Sequence, residues 1–311
     1  EGYSLVPFIF LFVHKALKSR EWIFYSILAG VFFALQILSG SMILFFYTAL
    51  LISFYFAFNL VSRNFAKILL KTVFAGLIIV IIALSLSAVK LLPVLEFTKM
   101  SSRAVNVSFN EFLGHPIGLK DIGRTIVTNL GYSEISAAIG IIGFILLVFG
   151  IFDFKKRMIL FFAAVILFSL LFASGTFVAD IMYKIPGFDK LRHVERALVL
   201  FAFAASVLAA YGFAFMSEKL KKYQSYLKHE NLFFAAIIVL ILLELLLLQN
   251  VPQSTKIIMP NDIKLLEHME NDNSTFRTIN LAQKDIIGAA GYNYYSQKEI
   301  PEAKGGGGIW V

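Results

Sequence analysis

Long apolar runs separated by short polar stretches recur along the first 250 residues, and their spacing predicts helices that cross a bilayer one after another. The first run, Tyr3–Val13, has about half the ~20 residues a span needs, so it reads as the tail of a span that begins upstream of Glu1. Trp22–Leu38, Met42–Leu60 and Thr72–Leu95 read as the second, third and fourth spans. Ile135–Phe152, Met158–Val178, Ala197–Met216 and Leu232–Leu248 read as the fifth to eighth. Two polar connections are too long to be turns: 96–134 and 180–196. Beyond Asn250 the chain turns polar, with an amphipathic helix expected at Asp262–Met269 and a strand at Phe276–Leu281. The expected fold is therefore an all-α polytopic membrane protein, residues 1–250, followed by the start of a small soluble domain, residues 251–311.

Composition agrees with that pattern. Hydrophobic residues make up 59% of the chain and charged residues only 15%, with mean hydropathy +0.78. The net charge of +8 does not argue for a nucleic-acid partner, because the basic residues concentrate in the short loops. Four of these loops carry 3, 3, 3 and 4 lysines and arginines, while the turn Ser39–Ser41 carries none. The positive-inside rule then places those four loops in the cytoplasm and both long connections and the C-terminal tail outside. There is no cysteine, and the five histidines are scattered, so no thiolate or clustered-imidazole metal site is expected.

The chemistry concentrates in Pro186–Phe213. A Pro-Gly turn leads into Asp189, Lys190, Arg192, His193, Glu195 and Arg196, and an apolar helix follows. A helix starting near Lys190 would put Arg192 and Arg196 on one face. Two guanidinium groups so placed suit a phosphate or pyrophosphate. The plainer alternative is that they pair with Asp189 and Glu195 and anchor the helix end. Arg103 joins them as a third candidate phosphate ligand, against simple headgroup anchoring. His193 has the acidity for proton transfer near neutral pH, Glu195 for pairing with an arginine or orienting a hydroxyl, and Glu96 for facing the same chamber. Each also has an ordinary reading as an interfacial or helix-end group. Glu244 interrupts an apolar run and needs a partner, such as Gln36 on a neighbouring helix. His115, in the turn Gly114-His115-Pro116, reads as structural. Lys90 reads as a snorkelling residue, and Lys155-Lys156-Arg157 as a determinant of topology.

Several segments, taken in order, resemble the bacterial YfhO-like membrane proteins. They are Leu92–Arg103 (LPVLEFTKMSSR), Gly131-Tyr132 leading to Ala138-Ile139-Gly140, Leu191–Phe213, and Arg277–Ser296 with its Gly291-Tyr292 pair. The resemblance implies the GT-C architecture and transfer of a sugar from a polyprenyl-phosphate donor to a cell-envelope acceptor, on the outer face of the bacterial cytoplasmic membrane. Membrane lipids and the lipid-linked sugar are the implied partners. Val194 stands where the family has a proline between the arginines, and Gly40-Ser41-Met42-Ile43 replaces a Gly-His-x-Gln. The acidic residue such enzymes carry in their first outer loop would lie upstream of Glu1, so no catalytic residue is assigned by the resemblance. A divalent metal, if the reaction uses one, would be held there too; no cofactor is evident in the chain itself. Two alternatives stay open: a transporter or flippase of an anionic lipid-linked substrate, and an envelope assembly protein without catalysis.

Overall fold

A computed structural model of the chain describes residues 2–40, 42–61, 65–100, 107–128, 137–152, 156–185, 187–221 and 230–248. The expected helix Asp262–Met269, the expected strand, Gly131-Tyr132, Arg103 and the tail lie outside the described residues. The described residues are helical, with no strand among them. Among the described residues three helices are long and apolar enough to cross a membrane, or four if one bent pair counts as a single span.

A one-turn 3-10 helix, Gly2–Leu5, leads into α1 (Val6–Lys18), α2 (Trp22–Leu38) and α3 (Met42–Leu60). The tight connections between them make sequence neighbours antiparallel. Gly40 takes φ 101 at the second turn, where a side chain would be strained. α4 runs without a break from Phe65 to Met100, through Pro93, and so extends past both ends of the expected Thr72–Leu95. Thr72, Ala75, Ile79, Ala83 and Ser87 form its buried stripe. Its opposite face (Val73, Leu77, Val80, Leu84) is exposed and apolar, a surface compatible with a lipid surround.

The connection after α4 contains two short helices, α5 (Phe109–Leu113) and α6 (Leu119–Thr128), then α7 (Gly140–Ile151). Met158–Val178 was expected to be one helix, but it is not continuous. α8 (Arg157–Ala173) stops, Gly175 adopts φ 65, and α9 (Phe177–Tyr183) leaves at 86°. Gly175 permits the turn, and Pro116 and Leu113 from the connection after α4 pack against it where a Cβ would sit. α10 (Leu198–Lys221) and α11 (Glu230–Leu248) complete the described chain.

α10 packs most extensively on α7 and α8. A Cβ on Gly212 would collide with the carbonyl oxygen of Leu146, and one on Gly150 with that of Leu208. The two backbones therefore touch, in the way small residues allow apolar helices to associate without a hydrophobic driving force. An aromatic cluster joins α1, α3, α8 and α10, with Phe10 4.8 Å from Tyr55 and 5.5 Å from Phe203 between ring centroids. By contact the chain divides into two units, Glu1–Val94 with Asn106–Gln249, and Leu95–Val105 with Asn250–Val311. Of the second, only the last turns of α4 are described.

Helix ends are closed by charges reaching across from other helices. Lys71 donates to the carbonyls of Leu17 (2.8 Å) and Ser19 (3.0 Å) at the end of α1. Arg157 does the same for Phe58 (2.5 Å) and Val61 (2.6 Å) after α3, and Lys90 for Leu38 (2.9 Å) at the end of α2. Glu244 closes a helix start: its oxygens accept from the N–H groups of Ile141 (2.5 Å) and Ile142 (3.1 Å) in the first turn of α7. Cations at C-termini and an anion at an N-terminus are the pairing that the helix dipole favours. Gln36, the expected partner of Glu244, instead donates to Gly2 O and Thr48 Oγ1.

Candidate functional site

The chain between α9 and α10 builds the site. Gly187 turns at φ 94 and receives the Asp189 carboxylate on its N–H at 2.9 Å. Phe188–Lys190 makes one 3-10 turn, with Phe188 packed against Phe46 of α3. Leu191 is extended, His193 has φ 69 and ψ 87, and a second 3-10 turn, Val194–Ala197, leads into α10. The expected helix from Lys190 carrying Arg192 and Arg196 on one face does not form. His193 breaks it between the two arginines, because its left-handed backbone cannot continue a right-handed helix. Arg192 therefore projects from an irregular segment and Arg196 from the 3-10 turn.

His193 is the one described non-glycine residue with positive φ. Such a conformation costs on the order of 1–3 kcal/mol for a non-glycine residue and persists only where its surroundings hold it. Two contacts hold it here. Nδ1 lies 2.9 Å from Oε1 of Glu195. Gly114, itself at φ 59, lies so close that a Cβ there would be 2.6 Å from the same nitrogen. An ionised carboxylate only accepts, so with Glu195 ionised Nδ1 carries a hydrogen, and in the neutral imidazole Nε2 keeps its lone pair.

Glu195 is 2% exposed, and among the described residues no donor reaches its Oε2. Burying a carboxylate with one of its oxygens unmatched costs several kcal/mol, so packing alone does not account for it. Tyr47 of α3, also buried, lies within electrostatic reach of both Glu195 and Arg196. Arg192 is more exposed and meets Glu111 of α5 at 3.9 Å, a loose pairing that leaves its other N–H groups available. The ring of His115 lies 5.9 Å from that of His193, and the His115 side is exposed.

The flanking segments are tied to this corner by backbone. Val107 N–H donates to Asp189 O, Tyr183 OH to Val107 O, and Ile117 N–H to Ala173 O. The pieces of the two long connections thus converge on one end of the bundle. His193 and Glu195 stand together there, with Arg192 toward Glu111 and Arg196 toward Tyr47. Glu96 is exposed near the end of α4, in the second unit. Arg103 lies outside the described residues. Among those residues no three His, Asp or Glu side chains gather to hold a metal ion.

Sequence reasoning missed three members. Glu111 was legible as the fourth residue of Ser108-Phe109-Asn110-Glu111, an N-cap pattern that the structure bears out with Ser108 Oγ accepting from Glu111 N–H at 3.3 Å. Tyr47 gave no local signal, lying in an apolar run. His115 was visible only as part of a turn. The chain matches no family model, no curated protein and no solved structure.

Proposed function

We propose that this chain is a polytopic membrane protein of eight spans, the first partial, and that it transfers a sugar from a polyprenyl-phosphate donor to an envelope acceptor. The reading follows the GT-C, YfhO-like resemblance. In it the site end and the C-terminal tail face the outside of the bacterial cytoplasmic membrane. The observation that carries it is the pairing of a strained, half-buried His193 with a buried Glu195, beside two arginines. Such a pair can take a proton from an acceptor hydroxyl, with Glu195 fixing the tautomer and stabilising the imidazolium. Arg192 and Arg196 supply positive charge for the departing phosphate. Glu244, which motivated the transporter alternative, has both oxygens on backbone N–H groups of α7 and so offers that reading no support.

The test is transfer by the full chain in liposomes supplied with undecaprenyl-phosphate-linked sugar. Arg192→Gln together with Arg196→Gln should abolish turnover and weaken binding of undecaprenyl phosphate, while membrane insertion is retained. Undiminished turnover in the double variant refutes the phosphate-binding role. No turnover in any form favours the assembly-protein reading.

A further inference from the structure

We infer that His115 is the proton-exit group of the His193–Glu195 pair, linking a buried carboxylate to solvent through two imidazoles. This deepens the transfer reading and rests on it for its turnover assay. The three groups step outward in burial: Glu195 is buried, His193 is partly buried and His115 is exposed. Contact follows the same order. Glu195 Oε1 is 2.9 Å from His193 Nδ1, and the two imidazole centroids are 5.9 Å apart.

The loop carrying His115 is also fixed from both sides. Gly114 is pressed onto His193 in a conformation that favours glycine, and Pro116 packs where a Cβ on Gly175 would lie. Ile117 N–H bonds Ala173 O at 3.0 Å. The charged and titratable groups around the pair are Arg192 with Glu111 on the exposed side, and Arg196 with Tyr47 on the buried side. Neither arginine can accept a proton. Glu111 is already opposite Arg192, and His115 offers an imidazole 5.9 Å from that of His193.

In the step proposed, the acceptor oxygen bonds to the sugar's anomeric carbon as the bond from that carbon to the phosphate oxygen breaks. The bonding pair leaves with the phosphate. The hydroxyl proton goes to His193 Nε2, giving imidazolium beside Glu195, then to His115 and to water. His193 returns neutral for the next cycle.

The experiment uses the full chain with ¹⁵N-labelled histidine, as wild type, His115→Gln and His115→Asn. The expected result is a His193 ring proton that exchanges with solvent at least several-fold more slowly in both variants, with a displaced His193 titration midpoint. Unchanged exchange and midpoint in either folded variant overturn the proposal. With undecaprenyl-phosphate-linked sugar as the probe, kcat should fall about tenfold in weak buffer, KM should hold, and added imidazole should restore the rate. A loss that imidazole does not restore also overturns it. If wild type shows no turnover, the transfer reading fails, and the exchange measurement alone decides whether the relay exists.

Discussion

Two sets of charged side chains in this protein differ in what their polar atoms are occupied with. Lys71, Lys90, Arg157 and Glu244 lie directly on helix ends and satisfy backbone groups that would otherwise be stranded. Arg192, His193 and Glu195 close nothing. They sit on an irregular segment, one in a strained backbone, one buried with an oxygen unmatched, and one loosely paired at 3.9 Å. The first set repairs the bundle; the second is held at a cost to it. Charge in an apolar protein is therefore no guide to function until its partners are known, and spare hydrogen-bonding capacity is the better guide.

The sharpest way to break this contrast is at its centre. Glu195→Gln and His193→Gln should each lower transfer by about 10²–10⁴-fold, the usual worth of a positioned base. In Glu195→Gln thermal stability in detergent should hold or rise, because a half-matched buried carboxylate costs several kcal/mol, whereas His193→Gln leaves that carboxylate without its imidazole and should lose stability. If stability and turnover fall together in Glu195→Gln, Glu195 belongs with the structural set. Glu244→Gln is the counterpart. It removes the charge from two hydrogen bonds to α7, and since bonds to charged groups contribute roughly 1.5–3 kcal/mol each, the folded state should lose on the order of 1–3 kcal/mol. Turnover per folded molecule should not change. A variant that is fully stable but inactive would move Glu244 into the site.

The bundle was more legible in the sequence than the site, for a physical reason. Apolar periodicity is local, so each expected span has a helix at its place, while the boundaries differ. α4 runs on past Leu95, and Gly175 turns the chain out of α8 under Pro116. The conversion of Arg192 and Arg196 from helix neighbours to residues on either side of a break depends on His193 taking positive φ. No propensity assigns that to histidine in advance. Likewise the role of Glu244 is set by the α7 N-terminus, 103 positions away in sequence. Reading Ile135–Phe152 as a helix did not show that its first turn required an acceptor. Lys90 and Arg157, read as snorkelling and topology residues, prove to have definite backbone partners for the same reason.

Smaller effects sharpen the structural half. Lys71→Met and Arg157→Met each remove a cation from the C-terminus of a neighbouring helix, a contact that contributes about 0.3–2 kcal/mol depending on burial. They serve different helices, so their losses in thermal unfolding should add in the double variant. A marked departure from additivity would mean that α1 and α3 are closed as one unit.

The smallest expected effect is the most exacting test of the contrast. Glu111 and Arg192 are both substantially exposed and 3.9 Å apart, and such pairs contribute about 0.2–1 kcal/mol. Glu111→Gln should therefore leave the unfolding temperature nearly unchanged. The freed guanidinium should bind undecaprenyl phosphate as tightly as before or slightly more so, with a steeper dependence on salt. If the variant instead unfolds early and binds phosphate less well, Glu111 is what positions Arg192. The arginine would then be a latch between α5 and the segment before α10, and at this site the spare capacity would rest with His193 and Glu195.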